Sequence, residues 1–99
     1  PHHGWDDEAS QALWDKLREL RLELARSQEI PPYMIFHDST LREMVEARPS
    51  SLREFAFLSG VGKSKLERYG ESFLEAIVEH VRNTSDGTAL AGAQPSRLQ

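Results

Sequence analysis

Leu13-Trp14-Asp15-Lys16-Leu17-Arg18-Glu19-Leu20-Arg21-Leu22-Glu23-Leu24 is the stretch on which the fold turns. Leu13, Leu17, Leu20 and Leu24 fall at i, i+4, i+7 and i+11, the spacing that lines up side chains on one face of an α-helix. Lys16, Arg18, Glu19 and Glu23 lie off that stripe, as the solvent side of an amphipathic helix requires. Upstream, Asp6, Asp7 and Glu8 put negative charge at the positive end of the helix dipole. Downstream, Pro31-Pro32 must end the helix, because proline has no N–H to donate and restricts the residue before it.

Past the prolines, Tyr33-Met34-Ile35-Phe36 is an apolar run too brief for a helix and without a partner strand. It reads as an extended connector pinned to the core. Asp38, Ser39 and Thr40 crowd the start of a second helix, and Thr40 with Glu43 has capping-box spacing. That helix carries Leu41, Met44 and Val45 and stops before Pro49. Ser51 with Glu54 repeats the signature and opens a third helix with Leu52, Phe55, Ala56 and Leu58. Ser64 with Glu67 repeats it again, and Leu66, Phe73, Ile77 and Val81 form the stripe of a long fourth helix. Gly70 inside that helix costs about 1 kcal/mol against alanine, which predicts a backbone or a ring passing close. Nothing alternates with the strand period. The fold class is therefore all-α: a compact bundle of four to five short helices, with a helix-hairpin-helix-like Gly-Val-Gly turn at residues 60–62.

With 99 residues, 38% of them apolar, the chain supports one domain with a small core. Having no cysteine, it excludes a disulfide framework, a thiolate zinc site and a cysteine nucleophile. No apolar run approaches the roughly 20 residues of a membrane span, so no membrane partner is expected. The formal net charge of −4 counts against tight binding of nucleic acid, whose affinity comes largely from phosphate neutralisation. Residues 1–8, opening Pro1-His2-His3-Gly4, read as linker or as the remnant of a purification tag. Residues 85–99 are small, polar and punctuated by Gly and Pro, and read as a flexible C-terminal tail.

The segment Leu58-Ser59-Gly60-Val61-Gly62-Lys63-Ser64-Lys65 carries the most chemistry. A Gly-x-Gly turn between helices lets the backbone approach a partner closely. The helix after it offers unpaired N–H groups to an anion, with Lys63 and Lys65 alongside. That is the pattern of a hairpin that grips nucleic-acid backbone without reading sequence; a tight interhelical turn with solvated lysines fits the same residues equally well. Gly62-Lys63-Ser64 imitates the end of a nucleotide-binding P-loop, but the glycine that motif needs five positions earlier is Phe57. Tyr33 is placed to stack on an unpaired base if exposed, or is a core ring if not. Trp5 and Trp14 read as packing residues. His37 and His80 lack metal-ligand spacing, and no carboxylate pair stands apart from the helix-surface background. No catalytic residue, metal or cofactor is expected.

Taken in order and spacing, these segments resemble the HRDC family. The resemblance lies in Lys16-Leu17-Arg18-x-Leu20-Arg21, in Ile30-Pro31-Pro32-Tyr33-x-Ile35-Phe36-x-Asp38-x-Thr40-Leu41-x-Glu43-Met44, in Pro49, in Gly60-Val61-Gly62, and in Lys65-Leu66-Glu67-Arg68-Tyr69-Gly70-x-x-Phe73. It covers about residues 10 to 82, with the domain set at 9–84. It implies a five-helix bundle that modulates DNA binding by a bacterial RecQ-type, ATP-dependent DNA helicase in the cytoplasm, at the nucleoid. The motor belongs to that parent chain, and the domain itself is not an enzyme. Some family members are attached to RNase D-type ribonucleases instead. Carried over, the resemblance assigns single-stranded or branched DNA to Lys16, Arg18, Arg21, Tyr33, Gly60, Gly62, Lys63, Lys65 and Arg68. Glu19, Glu23 and Glu71 sit among those positions and imply weak binding by a monomer. The alternative is a protein-interaction or autoregulatory module whose acidic face docks on the helicase core of the same chain or on another partner.

Overall fold

The computed structural model describes the backbone of residues 5–89 and the side chains up to Thr84. Along the chain come α1 (Glu8–Gln28), a 3-10 turn (Pro32–Met34), α2 (Asp38–Ala47), α3 (Leu52–Ala56) and α4 (Lys63–Ala89), with no strand among the described residues. The acidic run does start α1: the Asp7 carboxylate caps it by accepting the Ser10 N–H at 2.8 Å. That hydrogen bond holds the Asp7 carboxyl below the usual carboxylate range, with a smaller contribution from Arg48. Its stabilising contribution is thus present at neutral pH and lost as pH falls through the lowered pKa. At the other end Glu29 turns left-handed at φ 57°, and the Ile30 N–H closes back on the Ala25 carbonyl at 3.0 Å.

Phe36 sits at the centre of the core. Its ring meets those of Phe55, Tyr69 and Phe73 edge to face, at centroid distances of 6.1, 6.1 and 5.0 Å. Leu13 and Leu17 from α1, Leu41, Met44 and Val45 from α2, and Ile77 from α4 close around this group. Leu20 and Leu24, the rest of the α1 stripe, lie half-buried at its edge. The run that brings Phe36 inward is not extended as its composition suggests. The fixed φ of proline suits a 3-10 turn, which forms with Met34 and Ile35 donating to the carbonyls of Pro31 and Pro32. Ile35 and Phe36 then plunge into the core, so the connector is pinned as expected.

Three other local readings change. Thr40 and Glu43 do not form a capping box. His37 is the N-cap of α2, and Thr40 lies inside the first turn. Thr40 instead donates its hydroxyl to the Ser59 carbonyl at 2.9 Å, and Glu43 accepts the Ser59 N–H at 2.9 Å. Both side chains have found a tertiary partner, the turn before Gly60, in place of the local one. α3 is capped as read, by Ser51 accepting the Glu54 N–H at 3.1 Å, although Glu54 reaches back to Ser50 and not to Ser51. Neither backbone nor ring explains Gly70: a Cβ there would crowd the side chains of Leu66 and Leu52, so glycine lets α3 settle on α4. α4 begins one residue before Ser64 and runs through Ala89, past the expected boundary at 84. The remaining residues of the expected tail, 90–99, and residues 1–4 lie outside the described part of the chain.

Candidate nucleic-acid interface

Tyr33 rides on the 3-10 turn with 57% of its surface exposed, and its ring stacks on that of His37 at 5.9 Å and 26°. Of the two placements open to it, the ring is exposed and not in the core. Met34 beside it is also exposed. The three basic residues expected near Tyr33 from α1 do not act as one set, because they point in three directions. Arg18 lines a shallow groove with Leu22 and Pro32 on the Tyr33 side, its guanidinium 5.8 Å from the Trp14 ring. Arg21 is buried. It donates to the Phe36 carbonyl at 2.8 Å and pairs with Asp38 at 2.8 Å, so it ties the connector to α1. Lys16 is on the opposite flank, 3.9 Å from Glu79. There it shares a groove of about 370 Å³ between α1 and α4 with Glu19, Glu23, Glu75 and Glu79.

The hairpin is joined to the Tyr33 region through one short path. Tyr33 stacks on His37, His37 caps α2, and Thr40 in the same turn holds the Ser59 carbonyl. Gly60 is at φ +83°, and a Cβ on it would collide with the Thr40 hydroxyl. Glycine is required there by both conformation and contact. Gly62 differs: a Cβ would meet nothing within 4 Å, so the fold does not demand glycine and the backbone lies open to an incoming group. The first helical rung of α4 is Leu66 N–H to the Gly62 carbonyl, at 2.9 Å. The N–H groups of Lys63, Ser64 and Lys65 therefore have no partner within the helix. Lys63 and Arg68 are exposed, whereas Lys65 is half-buried with its ammonium 6.0 Å from the Phe36 ring. Glu71 is exposed one helical turn beyond Arg68.

Two features escape a reading of the sequence alone. Phe57, seen there only as the residue that spoils a P-loop, is 85% exposed. Its position at the C-cap of α3 gave no period from which to infer a face. Glu75 and Glu79, which complete the acidic groove, were legible only as an i, i+4 pair matching Glu19 and Glu23; nothing local said the two pairs would face each other.

A profile described as the HRDC domain matches residues 10–77. The chain belongs to the HRDC family. Among the relatives of this HRDC domain is the ATP-dependent DNA helicase RecQ of Haemophilus influenzae, 46% identical over 68 residues, which are 69% of this chain and 11% of that protein. RecQ of Bacillus subtilis is 39% identical over 72 residues, 73% of this chain and 12% of that one. A solved structure, D. radiodurans RecQ HRDC domain 3, superimposes with a TM-score of 0.69 at 32% identity, covering 76% of this chain and 97% of that one. The HRDC domain thus spans about a ninth of the length of those helicases. No helix among its described residues is long and apolar enough to cross a membrane.

Proposed function

We propose that this HRDC domain is an accessory module of a bacterial RecQ-type helicase that binds single-stranded or branched DNA weakly. On this reading it biases where the motor of the parent chain engages DNA at the nucleoid. It performs no hydrolysis itself. The observation that carries the reading is the exposed Tyr33 ring, already stacked on His37 and joined through α2 to the Gly60–Gly62 hairpin and its lysines. An exposed flat ring gives affinity to any unpaired base, and the open backbone at Gly62 with Lys63 suits a phosphate. Arg18 contributes charge in the groove it shares with Pro32, the residue before Tyr33, while Arg21 faces inward and serves the fold.

Weakness follows from charge. Lys16 is directed into the acidic groove and Arg21 into the core, so of the expected cations Arg18, Lys63 and Arg68 remain exposed to meet phosphates, with Lys65 half-buried. The same groove supports a second reading, in which Glu19, Glu23, Glu75 and Glu79 dock on a basic surface of the helicase core. Tyr33→Ala separates the two. If DNA is the partner, the variant keeps its melting temperature and loses about 1–3 kcal/mol of oligothymidylate binding, the worth of one stacked base. Unchanged affinity, measured by fluorescence anisotropy, would move the function to the acidic groove.

A further inference from the structure

We propose that Phe57 is a second base-stacking platform for the single strand that Tyr33 engages. The inference rests on the DNA-binding reading above and adds to it a residue. A phenylalanine that is 85% exposed contributes almost nothing to the core, since it buries little apolar surface. Phe57 is also held in a fixed place. Its N–H donates to the Glu54 carbonyl, and two residues later the chain is clamped to α2 by Thr40 and Glu43 on Ser59. The ring is therefore presented by a rigid turn.

The charge around it selects the occupant. Across residues 50–70 the chain carries Arg53, Lys63, Lys65 and Arg68 against Glu54 and Glu67, although its overall formal charge is −4. Glu54 is further engaged by the Ser50 N–H and hydroxyl at 2.8 and 3.2 Å. The segment that carries Phe57 is thus net basic within an acidic chain, although the Glu43 carboxylate sits on the Ser59 N–H two residues from it. An aromatic ring beside cations matches a polyanion that carries flat rings, which is a single-stranded nucleic acid. A protein partner seeking an apolar anchor would gain from Phe57 but not from its surroundings, unless it were itself strongly acidic. Tyr33 stacks on the N-cap residue of α2, and Thr40 in the first turn of α2 holds the Ser59 carbonyl, so the two rings are carried by elements bonded to one another.

The test compares Phe57→Ala, Phe57→Leu and Phe57→Trp with the wild-type chain and Tyr33→Ala, titrated into labelled oligothymidylate. Melting temperatures of the Phe57 variants should match wild type, because the ring is outside the core. Phe57→Ala should weaken binding about 5- to 150-fold, the range spanned by one base stack. Phe57→Leu should weaken it as much, because leucine keeps apolar surface but offers no flat face. Phe57→Trp should restore binding and show quenching by the oligonucleotide beyond that of Trp5 and Trp14. Wild-type affinity for Phe57→Ala, with Tyr33→Ala still defective, would overturn this proposal and leave the Tyr33 site standing. Wild-type affinity for Phe57→Leu would overturn it by showing an apolar contact without stacking. Failure of the wild-type chain to bind would overturn the DNA reading itself, and this proposal with it.

Discussion

Phe36→Ala is expected to lower the unfolding free energy by about 3–5 kcal/mol. Small domains carry roughly 5–15 kcal/mol in all, so the variant should populate the unfolded state visibly at room temperature. The cost is large because Phe36 is fully buried and three other rings, from α3 and α4, point their faces or edges at it. Removing it strips the transfer energy of the ring and leaves a cavity that α1, α3 and α4 cannot all close at once. It also unpins the connector that presents Tyr33, so DNA binding should decline with the folded fraction. Urea denaturation followed by circular dichroism reads the effect. A loss below about 1 kcal/mol, outside the range for large-to-small core substitutions, would show that Phe36 does not organise the core.

Arg21→Ala should cost about 1–3 kcal/mol, the range for leaving a buried acceptor unsatisfied, since Asp38 on the other side is exposed and can be solvated. The guanidinium bridges the Phe36 carbonyl and Asp38, and its removal leaves a buried carbonyl without its donor. Lysine should not rescue, because one ammonium on a flexible stem does not reproduce the forked geometry. The variant also decides between two roles for the residue. Where the domain is still folded, oligothymidylate affinity should stay near wild type, since the guanidinium faces inward. A variant of normal stability with lost DNA affinity would return Arg21 to the binding surface.

How far the sequence can be read depends on whether a residue's partner is local. The α1 stripe, the Asp7 cap and the Ser51–Glu54 cap involve neighbours within a turn, and all formed. Thr40 and Glu43 had an equally good local signature and formed something else, because Ser59, sixteen or more positions away, offered both a donor and an acceptor. Arg18 and Arg21 differ by less than one turn, yet one faces solvent and the other is enclosed. Arg21 comes four residues after Leu17 and so flanks the apolar stripe, and only the path of the connector decides its side. Phe57 follows the last turn of α3 and precedes a glycine turn, where no period assigns a face. The family was legible because it depends on the order of many local signals. The disposition of charges was not, because it depends on how α1 meets α4.

This acidic domain is proposed to bind single-stranded DNA through a small number of cations. The direct measurement is an anisotropy titration of the 99-residue chain into labelled oligothymidylate over a range of salt concentrations. Each phosphate neutralised on a single strand contributes a slope of about −0.7 in log K against log salt. Two or three net contacts from Arg18, Lys63, Lys65 and Arg68 predict weak, saturable binding with a slope of about −1.4 to −2. Binding that does not saturate even at low salt, or an affinity indifferent to salt, would contradict it.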